Sequence, residues 1–398
     1  MIRAGGGDAT LTCASRARGS SWTPHPTVPH RPPRFPHAGE ARSVTLPPGP
    51  PRRRGRDRPR SPRPPRPRRP AARAGAAAAL LLAVGAALAA CAPAADDAAD
   101  SAGAAAPAND TAAGVATAGA PTLVGVVEGL RTPESVRYDA EQDVFFVSNI
   151  NGNPSQKDRN GFISRVHADS LQQPTLEWIR GGETGITLHA PKGMAIVGDT
   201  LWVADIDVVR GFNRRTGRPV GTVDLAGLGA VFLNDVAVGP GGALYVTDTG
   251  IRFAGDGTMT APGPNRIFRI AGRSPEVMVE DSILASPNGI TWDSAGGRFL
   301  VAPFAGPSIL GIPSDGAVRP RHLAAGPGGY DGIELLDGRR AVVTTWTDSS
   351  VYLMTDDSTL TRLITGLEAP ADLGVDRRRS RLLLPLFNQN RVVVYEVR

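Results

Sequence analysis

Cysteine is nearly absent from this sequence, and its scarcity narrows the chemistry first. The 398 residues hold two, Cys13 and Cys91. Beyond residue 91 there is none, so that region has no disulfide framework and no thiolate to act as nucleophile or metal ligand. Long apolar runs are missing too: Ala76–Ala90 falls short of the ~20 residues that a membrane-spanning helix needs. No stretch sustains a 3.6-residue apolar period, which argues against a helical core. Aromatic residues make up 5% of the chain, and none is interleaved with the arginines of residues 51–70. A basic segment without stacking side chains is a poor nucleic-acid ligand, and we read it as a solvated arm with no nucleic-acid partner.

What is present divides into four parts. Residues 1–70 are rich in Pro and Arg, with ten arginines against one acid in 51–70. They have too little apolar surface to offset their ordering entropy, and a disordered extension is expected. Residues 71–91 run from a basic flank through the apolar stretch to Leu88-Ala89-Ala90-Cys91, the layout of a secretion signal. That tetrapeptide resembles the bacterial lipobox, in which the Cys is lipidated and becomes the mature N-terminus. Cys91 is therefore the expected lipidation site, with a membrane anchor and a cell-envelope location. Residues 92–121, Ala-rich with small polar residues, suit a flexible tether, and 122–398 form the folded domain. Charge follows the same division. Residues 1–91 carry 17 basic and 3 acidic side chains, a net of +14, and the rest carry 27 and 35, a net of −8. The mildly acidic domain argues against a polyanionic partner and suits a bound cation.

From residue 122 the texture changes to short Val/Ile/Leu-rich runs bounded by Gly, Pro, Asn and Asp, a strand-and-turn signal. Six segments share one form: a turn, an apolar strand, a polar or Gly-rich turn, and a second strand. They are "TPESVRYDAEQDVFFVSNI", "HAPKGMAIVGDTLWVADID", "FLNDVAVGPGGALYVTDTG", "SPNGITWDSAGGRFLVAPF", "GYDGIELLDGRRAVVTTWT" and "APADLGVDRRRSRLLLPLF". Their alignment puts Glu134, Lys192, Asn234, Asn288, Asp331 and Ala371 in one register, spaced by 58, 42, 54, 43 and 40 residues. A period of ~40–50 residues with three or four strands per unit predicts an all-β, six-bladed β-propeller. The two long gaps are expected to hold loop insertions at "NGNPSQKDRNGF" and "RFAGDGTMTAPGPN".

In a propeller the first strands of the blades line a central channel, so the aligned position gathers at one mouth. Two carboxylates, two amides and one amine would then face a common space. Acids placed together need a cation or a shared proton, and a divalent ion with hard oxygen ligands is the simplest relief. Taken alone, Asn288-Gly289 is also a common turn dipeptide.

The starts "PES", "LND", "PNG" and "YDG" resemble those of the senescence-marker-protein/gluconolactonase family, also called the regucalcin family. The resemblance implies one divalent cation, calcium foremost with zinc, magnesium or manganese as alternatives, held by Glu134, Asn288 and Asp331. It also implies a small-molecule substrate contacted by Asn234 and Lys192, with Asp235 as the catalytic acid/base, in a monomer. Two departures stand out. Lys192 occupies a register where related lactonases place a histidine, and Phe232 and Leu233 precede Asn234 where the family has a substrate-binding Arg. The activity expected is metal-dependent hydrolysis of a lactone or related ester. A non-catalytic propeller with a structural ion is the rival reading. A streptogramin-type lyase is a third, disfavoured because neither His189 nor His322 lies in the register. Trp202, Trp292 and Trp346 read as inter-blade core. Asn151, Asn153, Asp158 and Asn160 read as solvated turn residues.

Overall fold

In the computed structural model, which describes residues 119–316 and 319–397, the repeated segments become six four-stranded antiparallel sheets. The first strands are Pro133–Asp139, Pro191–Val197, Leu233–Val238, Pro287–Asp293, Tyr330–Leu335 and Gly374–Asp376. Each packs against the first strand of the next blade, and the last packs back against the first, which closes a ring around a channel. This is the six-bladed propeller. No α-helix occurs among the described residues. The extension, the signal segment with Cys91 and all but the end of the tether lie outside them.

Closure has a feature that the repeat does not display. The outermost strand of the sixth blade is Thr122–Val127, from the N-terminal end of the domain, paired antiparallel with Arg391–Glu396. The two ends of the domain are thus held by one ladder, which removes the seam where a ring would open.

The second strands read as unbroken apolar runs because both of their faces are covered. In Val144–Asn149 every residue is buried. Side chains alternate between faces with period 2, so Phe145 and Val147 pack toward blade six while Val144 and Phe146 pack toward blade two. The same alternation gives six apolar clusters, one per blade interface. Trp202 and Trp292 pack against two of them, as expected.

The two expected insertions are present: a loop at 150–161 and a hairpin, Arg252–Phe253 with Met259–Thr260. They meet across the upper face of the ring. Asn153 Nδ2 donates to Ala254 O at 2.8 Å, and Phe253 N donates to Ser155 Oγ at 3.0 Å.

Candidate metal centre

Five of the six first strands enter the ring through an irregularity, and the irregularity positions the aligned residues. The ladder register shifts between Pro133 and Ser135, Pro191 and Met194, Leu233 and Val236, Pro287 and Ile290, and Tyr330 and Ile333. A bulge leaves a residue out of the ladder and re-aims its side chain. Glu134, Lys192, Asn234, Asn288 and Asp331 all stand in these bulges. The residue two positions before the aligned one is left-handed in four blades: Thr132 has φ 49°, Ser286 59°, Gly329 61° and, in the sixth, Ala369 45°. Positive φ in Thr and Ser is uncommon and concentrates at functional sites.

Side chains from the ends of the second strands hold these entry loops. Asn149 Oδ1 accepts from Arg131 N, Asp205 accepts from His189 N and Ala190 N, and Asp248 accepts from Val231 N and Phe232 N. The glycines of "PNG" and "YDG" have a separate cause. A Cβ on Gly289 would strike the backbone of Asp331 in the next blade, and one on Gly332 would strike Asp372. Asn288-Gly289 is therefore a strand bulge pressed against a neighbouring blade, not a turn.

The five aligned side chains come together, each no more than 5% exposed. Burial, then the charge of Asp331, pushes the Glu134 carboxyl well above its usual range, with Lys192 opposing. Asp331 is pushed up to about 8 by burial and by Asp235, against the pull of Asn288 and Trp346. Burial brings Lys192 down to about 8, although Glu134, Asp205 and Asp248 oppose it. Its ammonium donates to Ala190 O at 3.1 Å and Pro154 O at 3.3 Å, and lies 4.1 Å from the centre of the Phe232 ring. Asn234 Nδ2 donates to Thr249 Oγ1 at 3.0 Å, leaving its carbonyl oxygen for another partner.

A cation fits this donor set. Glu134 Oε2, Asn288 Oδ1 and Asp331 Oδ1 are buried without a hydrogen-bond partner, although an orphaned buried acceptor is costly. Among the described residues no three His, Cys, Asp or Glu side chains cluster closely enough to hold a metal by themselves. The three oxygens proposed from sequence are two carboxylates completed by an amide, the hard donors that calcium prefers.

One layer below the mouth, the structure adds to the sequence reading. Asp235 accepts from Val236 N on Oδ1 and Ile290 N on Oδ2, at 2.6 and 2.8 Å, so both oxygens are engaged. The sixth blade is silent at Ala371, but its neighbour Asp372 is buried and turns into the channel. Ser135 Oγ donates to Asp372 Oδ2 at 2.5 Å, while Oδ1 has no partner. Trp346 corrects an expectation. It is not inter-blade core but stands at the mouth beside Asp331, in ring contact with Phe304 and Phe387. Its place immediately after a second strand, where "VVTTWT" leaves the blade, is the signal that could have shown this. His189 lies in an entry loop and His322 is exposed on an outer strand, both away from the mouth.

The architecture defines a class: six-bladed β-propellers. Within it, the chain is similar to a gluconolactonase from Xanthomonas campestris, with a TM-score of 0.54 and 16% identity over 71% of this chain and 99% of that one. It is similar also to regucalcin, a calcium-binding protein from Agrobacterium tumefaciens, at 0.51 and 17% over 69% and 93%. The fold is the one these two structures share, in keeping with the resemblance at the blade starts. No protein-family model and no curated protein sequence matches the chain.

Proposed function

We propose that the protein is a metal-dependent hydrolase of a lactone or related ester. One observation carries this reading: Glu134 Oε2, Asn288 Oδ1 and Asp331 Oδ1, brought into a shared bulge register from three blades, are buried and unpartnered. The gluconolactonase and the calcium-binding regucalcin that share the fold support it. Glu134, Asn288 and Asp331 would hold one divalent cation, calcium foremost. When bound, such a cation polarises a carbonyl and lowers the pKa of water.

The chain's own residues supply the rest. Asn234, its amide fixed by Thr249 Oγ1, presents a carbonyl oxygen that orients the substrate. Lys192, held by two backbone carbonyls, balances Glu134 and offers its remaining N–H to the substrate. Asp235, the acid/base read from sequence, accepts from two backbone amides, which fix its carboxylate in the channel. It positions Ile290, and through it the strand that presents Asn288. Outside the three cation ligands, Asp235 and Asp372 are the channel carboxylates placed to receive a proton, and Asp372 Oδ1 has no partner.

Metal analysis of the purified protein, followed by a lactone panel with wild type, Glu134→Ala and Asp331→Ala, tests the proposal. We expect about one divalent ion per chain, hydrolysis abolished by chelation, and loss of both in the variants. A retained ion with no hydrolysis across the panel would favour the non-catalytic propeller instead. Envelope anchoring through Cys91 remains part of the proposal and rests on the lipobox-like tetrapeptide. Radiolabelled palmitate incorporated by wild type but not by Cys91→Ser is the expected result.

A further inference from the structure

Above the polar ring lies a second register, the residue directly after the second strand of each blade. In chain order these are Ile150, Ile206, Thr249, Phe304, Trp346 and Phe387. All but Thr249 are apolar and three are aromatic. Ile150 and Ile206 are buried against Ala190, with Phe387 packed on them. Phe304, Trp346 and Phe387 are part-exposed and form a chain of ring contacts, with centroids 5.9 and 5.3 Å apart. Thr249 is the exception and is turned to internal use: it accepts from Asn234 and donates to Pro287 O. Phe232 fills that sector, 5.9 Å from Phe253.

Three polar side chains of the nearby insertion are engaged in loop hydrogen bonds. Asn151 Nδ2 donates to Asn160 O, Asn153 joins Ser155 N to Ala254 O, and Asp158 caps Asn160 N. Lys192 is anchored to backbone carbonyls. A ligand seated on the polar ring would thus meet an apolar collar with few hydrogen-bond partners to offer.

The geometry points to a substrate whose reacting carbonyl meets the polar ring while its body is apolar: an alkyl- or aryl-substituted lactone or ester, not a polyhydroxylated sugar lactone. That the group is hydrolysed rests on the function proposed above; the apolar body rests on the collar alone. An apolar pocket gains about 10–200-fold for one well-placed methylene. A sugar hydroxyl stranded against it loses its water without replacement and weakens binding by about tenfold or more.

The test uses the full-length protein loaded with calcium and two non-hydrolysable probes, an alkyl-substituted γ-lactam and gluconolactam, with calorimetry and tryptophan fluorescence as readouts. A matching pair of lactones is assayed for hydrolysis. The alkyl lactam is expected to bind at least ~10-fold tighter than gluconolactam. Phe387→Ser and Trp346→Ser should each lower its affinity about tenfold, while Trp346→Phe keeps binding and loses the fluorescence change. Melting temperatures verify folding, and Phe304→Ser replaces either variant that fails to fold. Alkyl-lactam binding with no lactone hydrolysis supports the collar and removes the hydrolase reading. Preferred hydrolysis of the sugar lactone keeps the hydrolase and overturns the collar. Equal or tighter binding of gluconolactam, indifference of alkyl-lactam affinity to the collar variants, or no binding of either probe also overturns it.

Discussion

The two ends of the central channel are built from the same strands and treat charge in opposite ways. At the lower end four first-strand acids are each paired with an arginine. Asp139 meets Arg214 at 2.7 Å, Asp293 meets Arg298 at 3.1 Å, Asp376 meets Arg379 at 2.9 Å, and Glu334 pairs across the channel with Arg137. At the upper end Glu134, Asp331 and Asp372 each keep an oxygen with no partner at all. Desolvating a carboxylate costs several kcal/mol unless something answers it. The lower end is answered within the chain and needs nothing more. The upper end keeps unpartnered oxygens, with Lys192 alone opposing the charge of Glu134, and this asymmetry is what distinguishes the mouth.

Substitutions at the two ends should therefore fail differently. The largest effect is expected for Asp331→Ala, with a loss of lactone hydrolysis of at least ~10³-fold as a cation ligand goes. The ion-free variant should melt no lower than ion-free wild type, because one of several repelling buried carboxylates has been removed. Arg137→Ala should do the reverse. It strands Glu334, both side chains being mostly buried, and should lower stability by about 3–5 kcal/mol in denaturant titration. Its calcium content should not change. If Arg137→Ala lost the ion and kept its stability, the contrast between the ends would collapse.

The upper register was legible in the sequence because its cause is local. Four blades repeat a short start, "PES", "LND", "PNG" or "YDG", and the bulge that re-aims the residue lies inside those few positions. The lower pairs were not legible: Arg137 and Glu334 lie in different blades and meet only once the ring closes. Closure by Thr122–Val127 was hidden for the same reason, since an isolated strand carries no sign of its partner. Asp372 stands one position off the register, because the sixth blade has Ala371 in the aligned place and sends in the next side chain. Trp346 was misread because a tryptophan at the end of an apolar run looks alike whether it enters a core or leaves for a mouth.

A middle-sized effect lies in the pH dependence of the ion-free protein. In the folded chain Asp235 is pushed up to about 6 and Asp331 to about 8, while unfolded carboxyls titrate near 4. Between these limits the folded state holds more protons than the unfolded one, so stability falls as pH rises. The chelated protein should lose melting temperature from about pH 4 to pH 8. Lys192 acts in the opposite sense above about 8, where the unfolded lysine still carries its proton. Saturating calcium should flatten the acidic part of the curve, since the cation now stabilises the ionised form. A chelated protein whose melting temperature rises through this window would mean that the acids at the mouth are answered from within, as they are below.

The smallest expected effect separates the mouth from its surroundings. His189 Nδ1 accepts from Arg159 N at 3.0 Å and so ties the insertion to an entry loop, and His322 stands exposed on an outer strand. Neither stands in the aligned register of the mouth, so neither is expected to exchange a proton with a substrate held there. His322→Ala should change stability by less than about 0.5 kcal/mol, as surface substitutions usually do. His189→Gln should cost slightly more, because the loop loses one partly exposed hydrogen bond of about 1 kcal/mol. Hydrolysis by both should stay within about twofold of wild type, and so should its pH profile. A large loss of turnover in either variant at unchanged calcium content would move the proton-transfer step from the carboxylates of the channel to a histidine outside it.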